Sequence, residues 1–157
     1  AAGGAVVDPT RFVIAETTTR VVLVLDESNS MSLESPARIE RLRVAANDFV
    51  ALAPDATELG IVSFSTDAEV ASGHANVAVE PLEAAQRADC TAAIAGLTPG
   101  GWTGIGLGLE KARSLISDAG GVTANTYIVL MTDGLNTRPL PDHAAQLEGV
   151  QKGLLRS

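Results

Sequence analysis

The chain alternates between apolar runs and segments in which apolar residues recur every three or four positions. Apolar runs predict buried strands over 20–25, 58–65 and 127–131. Helical spacing predicts amphipathic helices from Pro36 to before Pro54, from Pro81 to about Leu97, and from about Gly104 to Gly120, with Ser35 as the N-cap of the first. Weaker patterns predict short edge strands over 11–16 and 68–72 and a last helix over 142–154.

This order of elements predicts an α/β fold. Strands separated by helical stretches of about a dozen residues or more require crossover connections, which make neighbouring strands parallel. We therefore expect a doubly wound, mostly parallel sheet with helices on both faces. The length of 157 residues fits a single domain over 1–157, with residues 1–10 as a loose lead-in.

Polar residues follow the strands where they would open onto one edge of the sheet. Asp26, Ser28 and Ser30 alternate directly after the first apolar run, Thr103 lies in a glycine-rich loop before a helix, and Asp133 follows the strand that begins at Tyr127. In an open parallel sheet, loops at the carboxyl ends of the strands converge on a crevice. Carboxylate and hydroxyl oxygens are ligands for a hard cation such as Mg²⁺, Mn²⁺ or Ca²⁺, whereas zinc would call for Cys or His.

Composition limits the partners of the chain. The net charge is -8, with 19 acidic and 11 basic residues, so nucleic acid and anionic membrane surfaces are poor candidates. No apolar run approaches the roughly 18 residues that span a bilayer, so we expect no membrane insertion by this chain. The single cysteine, Cys90, is expected to be a small buried hydrophobic residue.

Four motifs in this order resemble the von Willebrand factor type A domain. They read VLVLDESNSMS, GIVSFS, PGGWTGIGLGL and YIVLMTDG, and the resemblance covers roughly residues 12–140. It looks closest to the branch found in calcium-activated chloride channel regulators and bacterial relatives. In this family D-x-S-x-S, a threonine in a glycine-rich loop and the aspartate of T-D-G form the metal-ion-dependent adhesion site. The resemblance implies that Asp26, Ser28, Ser30, Thr103 and Asp133 take these five roles.

The resemblance also implies a function. A bound divalent cation, Mg²⁺ in the first place, would complete its coordination with an Asp or Glu of a partner protein, in an extracellular or cell-surface setting and without catalysis. We expect Glu27, Asn29, Trp102 and Arg138 to form the partner-binding rim, with the side chain of Glu27 pointing to solvent.

The chain departs from the family pattern after the T-D-G motif. Family members continue with further strands and helices, whereas this sequence stops at Ser157, so the C-terminal strands are expected to be absent. The chain is then truncated, or cleaved and completed by a second chain, or it leaves the strand at Tyr127 as an edge that is prone to pairing.

Other interpretations stay open. Asp26, Ser28 and Ser30 could simply cap a turn, and the glycines at 104, 106 and 108 are better explained by helix–sheet packing than by a dinucleotide fingerprint. A metal-dependent phosphatase or hydrolase is the alternative enzyme. Ser28 or Ser30 as a nucleophile would need a base, but His74 and His143 are expected to be exposed, and neither sits in a motif that would place it near these serines. A third alternative is an assembly domain in which the metal only stabilises loops.

Overall fold

The computed structural model describes residues 18–134, 136 and 137. Within them the strands are β1 (Arg20–Asp26), β2 (Glu58–Phe64), β3 (Asn76–Pro81) and β4 (Thr126–Met131). The α-helices are α1 (Arg38–Leu52), α2 (Ala84–Gly96) and α3 (Ile105–Asp118). Two short 3₁₀ turns cover Asn29–Ser32 and Val70–Ser72. The three strands and the three helices predicted from the apolar pattern are all present. The first two strands are buried as predicted, whereas β4 is not, since Tyr127 and Leu130 are exposed.

The four strands form one mixed sheet in the order β3-β2-β1-β4. β1 pairs in parallel with β2 and with β4, so that Leu23 lies opposite both Ile61 and Val129. β3 pairs antiparallel with β2 and forms an edge. The sheet is therefore mostly parallel, as the pattern predicted.

Every residue of β1 is buried, because the strand carries helices on both of its faces. Val21, Leu23 and Leu25 pack with the buried side chains of α1 and α2, among them Cys90, whose interior position confirms its prediction. Val22 and Val24 point the other way and pack with α3. Side chains alternate across a strand, so a continuous apolar run fills two cores at once.

Close contact between α3 and the sheet explains one of the glycines in the PGGWTGIGLGL motif. A Cβ atom at Gly108 would lie 2.8 Å from Cδ1 of Phe64 and 3.0 Å from Cγ1 of Val24. Only a residue without a side chain lets the helix come this near, which supports the packing interpretation of these glycines.

Two local predictions are wrong around the edge strand. The segment 68–72 is not a strand, because the Asp67 carboxylate accepts hydrogen bonds from the Glu69 amide and the Ser72 hydroxyl and closes a turn there. The edge strand lies further on and ends at Pro81, which was predicted to open a helix. An edge strand tolerates proline, since one side of it has no strand to receive an N–H donor.

The start of α1 also differs from the prediction. The helix begins at Arg38 with Ala37 as its N-cap, rather than at Pro36 with Ser35 as its cap. The amide of Arg38 donates to the Leu33 carbonyl at 3.1 Å, so that residues 33–38 close a turn before the helix starts. The strand predicted over 11–16, the helix over 142–154 and His143 lie outside the described residues.

The carboxyl end of β1 is the switch point of the sheet. The connection from β1 to β2 runs through α1 on one face, whereas α3, which leads into β4, packs on the other face. Such a point opens a crevice between the loops that leave the neighbouring strands. Across the part of the chain that is described, none of the helices has the length and apolar character needed to cross a membrane.

Candidate metal site at the end of the first strand

Three loops bring the predicted donor residues to one cleft. Ser28 and Ser30 follow β1, Thr103 precedes α3, and Asp133 follows β4. All four line an open cleft of about 670 Å³. Asp26, the fifth predicted donor, lies under the cleft and is fully buried at the end of β1. The structure therefore assembles residues that are up to 107 positions apart in the sequence, between Asp26 and Asp133.

The hydroxyl groups in this cleft are close to one another. The Oγ atoms of Ser28 and Ser30 lie 3.1 Å apart, and Ser30 Oγ donates to Asp133 Oδ1 at 2.9 Å. A Cβ atom built on Gly134 would lie 3.9 Å from both Ser30 Oγ and Thr103 Oγ1. The hydroxyls of the D-x-S-x-S motif and of the glycine-rich loop thus face the same space.

Asp26 supports the loop that carries the serines. Its Oδ1 atom accepts a hydrogen bond from the Ser28 amide at 2.7 Å, and Oδ2 accepts one from Thr132 Oγ1 at 2.5 Å. Burial raises the pKa of Asp26 above its usual value; the hydrogen bonds from Thr132 and Ser28 oppose this rise, and the nearby Asp133 carboxylate adds to it. Asp26 therefore links the ends of β1 and β4 through one carboxylate.

The glycine-rich loop that carries Thr103 is tied to the first loop through backbone atoms. The Gly100 amide donates to the Glu27 carbonyl at 2.8 Å, and the Asn29 amide donates to the Gly101 carbonyl at 3.2 Å. Gly101 has a φ of 71°, a left-handed conformation that a residue with a side chain adopts only with strain. These bonds hold Thr103 opposite the serines.

Asn136 and Thr137 complete the cleft, although sequence reasoning did not select them. The Asn136 side chain accepts from the Ile105 amide at 2.8 Å and so caps the start of α3. The Thr103 amide donates to Thr137 Oγ1 at 2.9 Å, and the Thr137 amide donates to the Thr103 carbonyl at 2.7 Å. Asn and Thr are common capping residues, but no local signal shows which distant helix they cap.

Arg38 is a charged residue of the site that sequence reasoning missed. Its guanidinium forms an ion pair with Asp133 Oδ2 and also contacts Glu34 Oε1, through Nε at 2.8 Å and through Nη2 at 2.7 Å. These two carboxylates raise the pKa of Arg38, which is charged in any case. In the sequence Arg38 is one of several arginines of an amphipathic helix, and only the fold brings it to Asp133.

Glu27 does not point to solvent, and this prediction is wrong. The residue is 5% exposed. Its Oε1 atom accepts from Ser63 Oγ at 2.8 Å and contacts His74 Nδ1 at 2.5 Å, and Oε2 accepts from the Thr98 amide at 2.9 Å. Three donors from three different segments satisfy the carboxylate in the interior. Glu27 thus belongs to the support of the site and not to its rim.

His74 is buried as well, contrary to the prediction of an exposed position. Its Nδ1 atom contacts Glu27, while Nε2 lies 3.3 Å from Asp67 Oδ1 and 3.4 Å from Ser65 Oγ. The contacts of the imidazole are with Glu27, Asp67 and Ser65, so it serves neither Ser28 nor Ser30 as a base. Nε2 contacts the Asp67 carboxylate as well as the Ser65 hydroxyl, so its position does not single out Ser65 as a nucleophile.

Of the other predicted rim residues, Asn29 and Trp102 are exposed and line the cleft, and Trp102 has 57% of its surface exposed. Arg138 lies outside the described residues.

The donors present fit a hard divalent cation. Every side-chain group facing the cleft from the D-x-S-x-S loop, from Thr103 and from Asp133 offers oxygen, and oxygen is what Mg²⁺, Mn²⁺ and Ca²⁺ take in proteins. Within residues 18–134, 136 and 137, no group of three or more His, Cys, Asp or Glu side chains is placed to hold a metal ion. The candidate set consists instead of two carboxylates and three hydroxyls, and its role as a set of metal ligands stays a prediction.

Solved structures show the same fold. A von Willebrand factor type A protein from Catenulispora acidiphila is 20% identical, with a TM-score of 0.72 over 87% of this chain and 30% of that one. The von Willebrand factor domain of the type V pili tip protein Mfa5 from Porphyromonas gingivalis is 24% identical, with a TM-score of 0.62 over 76% and 39%. The pilus adhesin SpaC from Lactobacillus rhamnosus GG is 23% identical, with a TM-score of 0.62 over 77% of this chain and 16% of that one.

This chain therefore spans well under half the length of each of these three proteins. No curated protein matches the sequence. The narrower resemblance to calcium-activated chloride channel regulators is not confirmed by these comparisons. A family model for the von Willebrand factor type A domain matches residues 21–136, which include all five predicted donors, Asp26, Ser28, Ser30, Thr103 and Asp133. With the order of its strands and the match over most of its length, the chain belongs to the von Willebrand factor type A domain family.

Proposed function

We propose that this domain is a protein-binding module that holds a divalent cation, Mg²⁺ in the first place, and uses it to bind an Asp or Glu side chain of a partner protein. The observation that carries the proposal is the convergence of Ser28, Ser30, Thr103 and Asp133 on one open cleft above the buried Asp26. When bound, the cation supplies a Lewis-acidic centre that accepts the partner's carboxylate.

The contacts of the Asp26 and Asp133 carboxylates favour the binding of an acidic ligand at the cation. Both oxygens of Asp26 already accept hydrogen bonds, from Ser28 and Thr132, and one oxygen of Asp133 is paired with Arg38. Arg38 compensates the charge of Asp133, Asp26 is buried beneath the cleft, and neutral hydroxyls supply most of the other oxygens that face it. A cation held in this way keeps much of its charge for an incoming carboxylate.

The solved relatives support a role in adhesion or assembly at the cell surface. Two of them are a pili tip protein and a pilus adhesin. We propose by analogy that this chain acts in an extracellular or surface-exposed assembly and that it has no catalytic activity of its own. A second chain that completes the sheet beside β4 remains part of this proposal, since Tyr127 of that strand is 55% exposed.

Calorimetric titration of Mg²⁺, Mn²⁺ and Ca²⁺ into the chelator-treated protein tests the metal site. Saturable binding is expected in the wild type and in Asp48→Ala, an exposed aspartate of α1 that serves as the control. Loss of a residue that hydrogen-bonds to a metal ligand commonly weakens metal binding about 10–100-fold. Asp133→Ala removes a predicted direct ligand, so we expect it to weaken metal binding by at least this factor. Saturable binding of equal strength in Asp133→Ala would contradict the site.

A second candidate is an assembly domain whose metal only stabilises loops. Two contacts favour it: Thr137 hydrogen-bonds to Thr103, and Asn136 accepts from the first amide of α3. The cleft is therefore also the place where separate loops are bonded to one another. Chelation separates the two: it abolishes partner binding in the first case, whereas in the second it lowers the melting temperature and leaves partner binding intact.

A further inference from the structure

Arg38 places a fixed positive charge in the wall of the cleft. The side chain extends from the first turn of α1, is 31% exposed, and lines the same cleft as Ser28, Ser30 and Thr103. Among the residues that line this cleft, Arg38 is the one with a cationic side chain, within the part of the chain that is described. A ligand that enters the cleft therefore meets this guanidinium as well as the candidate metal site.

Glu34 holds the guanidinium in one orientation. Nε and Nη2 of Arg38 both contact Glu34 Oε1, and Arg41 pairs with the other oxygen, Oε2, of the same carboxylate. Glu34 itself has a φ of 74°, a backbone conformation that is uncommon for a residue with a side chain. Uncommon conformations of this kind persist where the surrounding contacts determine them, and they cluster at functional sites.

The guanidinium retains donors for a ligand. It carries five N–H bonds in a planar fork, and the contacts with Glu34 and Asp133 use three of them. The contacts with Glu34 fix the direction of these N–H groups, so that one of them can donate to a single carboxylate oxygen in a defined geometry, which the rotating ammonium group of a lysine does not offer.

We propose that Arg38 is the second anchor for the partner's carboxylate, with one carboxylate oxygen bound to the cation and the other accepting a hydrogen bond from Arg38. This inference rests on the proposed function and narrows its ligand to a planar carboxylate of an Asp or Glu side chain. The chain carries a net charge of -8, which repels acidic partners elsewhere on its surface, so a local cation directs them to this cleft.

The test uses Trp102 as a reporter, since it is the single tryptophan of the chain and lines the cleft. The metal affinity of each variant is first measured by calorimetry. The Mg²⁺-loaded protein is then titrated at constant ionic strength with N-acetyl-aspartate methylamide, and with the asparagine analogue as the neutral probe. The variants are Arg38→Met, which keeps the aliphatic stem, Arg38→Lys, which keeps the charge without the fork, and Arg113→Met, the control at an exposed arginine of α3.

We expect Arg38→Met to bind the aspartate probe about tenfold more weakly than the wild type, with Arg38→Lys in between, because a charge-assisted hydrogen bond is lost or weakened. Metal affinity is not expected to fall, since the removed group is itself a cation. Arg113→Met should behave like the wild type, and the asparagine probe should give no response in any variant.

Three results would overturn the inference. Equal binding of the aspartate probe by metal-loaded Arg38→Met and wild type would remove Arg38 as an anchor while leaving the proposed function intact. Weaker metal binding in Arg38→Met would show instead that Arg38 positions Asp133. Failure of the wild type to bind any of the three cations would reject the proposed function, and the inference with it.

Discussion

Replacing Glu27 by alanine tests whether the interior beneath the cleft depends on this one carboxylate. The substitution leaves three donors without their acceptor: the Ser63 hydroxyl, His74 Nδ1 and the Thr98 amide. Ser63 and His74 are buried, so water does not simply replace the oxygen that they lose, whereas Thr98 is exposed. The backbone bond from the Glu27 amide to the Phe64 carbonyl does not involve the side chain and is expected to survive.

The size of the effect follows from these contacts. A buried donor left without a partner costs about 1–3 kcal/mol, and Glu27→Ala removes the acceptor of several donors at once. Because the surroundings relax, the separate losses do not add fully. We expect Glu27→Ala to lower the free energy of unfolding by about 3–5 kcal/mol, a large part of the roughly 5–15 kcal/mol that a domain has.

Glu27→Gln separates the charge from the shape of the side chain. The carboxylate accepts hydrogen bonds at both oxygens, whereas an amide accepts at one atom and donates at the other. Whichever way the amide turns, its NH₂ group faces a donor. We expect a loss of about 1–3 kcal/mol and weaker metal binding, because the Thr98 bond holds the loop that carries Thr103.

Urea denaturation followed by circular dichroism, in the presence of a chelator, measures the free energies. Glu110→Ala, at an exposed position of α3, is the matched control and should stay within about 0.5 kcal/mol of the wild type. A free energy of unfolding for Glu27→Ala within about 1 kcal/mol of the wild type would refute the argument, since that change is no larger than the smallest cost of a single unpaired buried donor.

Two further predictions follow from buried positions. Gly108→Ala brings a Cβ within 3.0 Å of Phe64 and Val24, so we expect a loss of about 1–3 kcal/mol by urea denaturation; unchanged stability would show that the helix shifts freely. Burial raises the pKa of Asp26 above 3.8, so the folded state holds its proton to higher pH than the unfolded state, and the stability of the chelated protein falls as pH rises through that interval. In Asp26→Asn the amide oxygen can still accept from the Ser28 amide, and the Thr132 hydroxyl can rotate to accept from the NH₂ group, so both contacts can be kept without a charge. Asp26→Asn should therefore melt at a higher temperature than the wild type at pH 7, by a margin that shrinks towards pH 4, and should lose metal binding; an equal or lower melting temperature at pH 7 would contradict this.

The order of the main elements was readable from the sequence, because burial on two faces leaves a direct pattern. The apolar run of β1 packs into two cores, and the spacing of Ile39, Leu42, Ala46 and Val50 in α1 matches the single face that this helix buries. The boundaries near Pro36 and Pro81 were harder to place. A proline suits the first turn of a helix and also a turn or an edge strand, and its neighbours in space decide between them.

The candidate donors were also readable, because D-x-S-x-S, the threonine in the glycine-rich loop and T-D-G are local motifs at the ends of predicted elements. What the sequence by itself determined was therefore the kind of fold and the oxygen-rich character of its crevice. Only the tertiary structure decided which charged groups surround that crevice. The Glu27 carboxylate lies in the interior, where Ser63, His74 and Thr98 hydrogen-bond to it.

Arg38 reaches Asp133 across 95 residues of sequence. Hydrophobic periodicity records how each residue faces the core, but a charged side chain at the surface of a helix obeys no such period. Its partner depends on the relative placement of separate elements, and this placement exists only once the sheet and its helices are packed together.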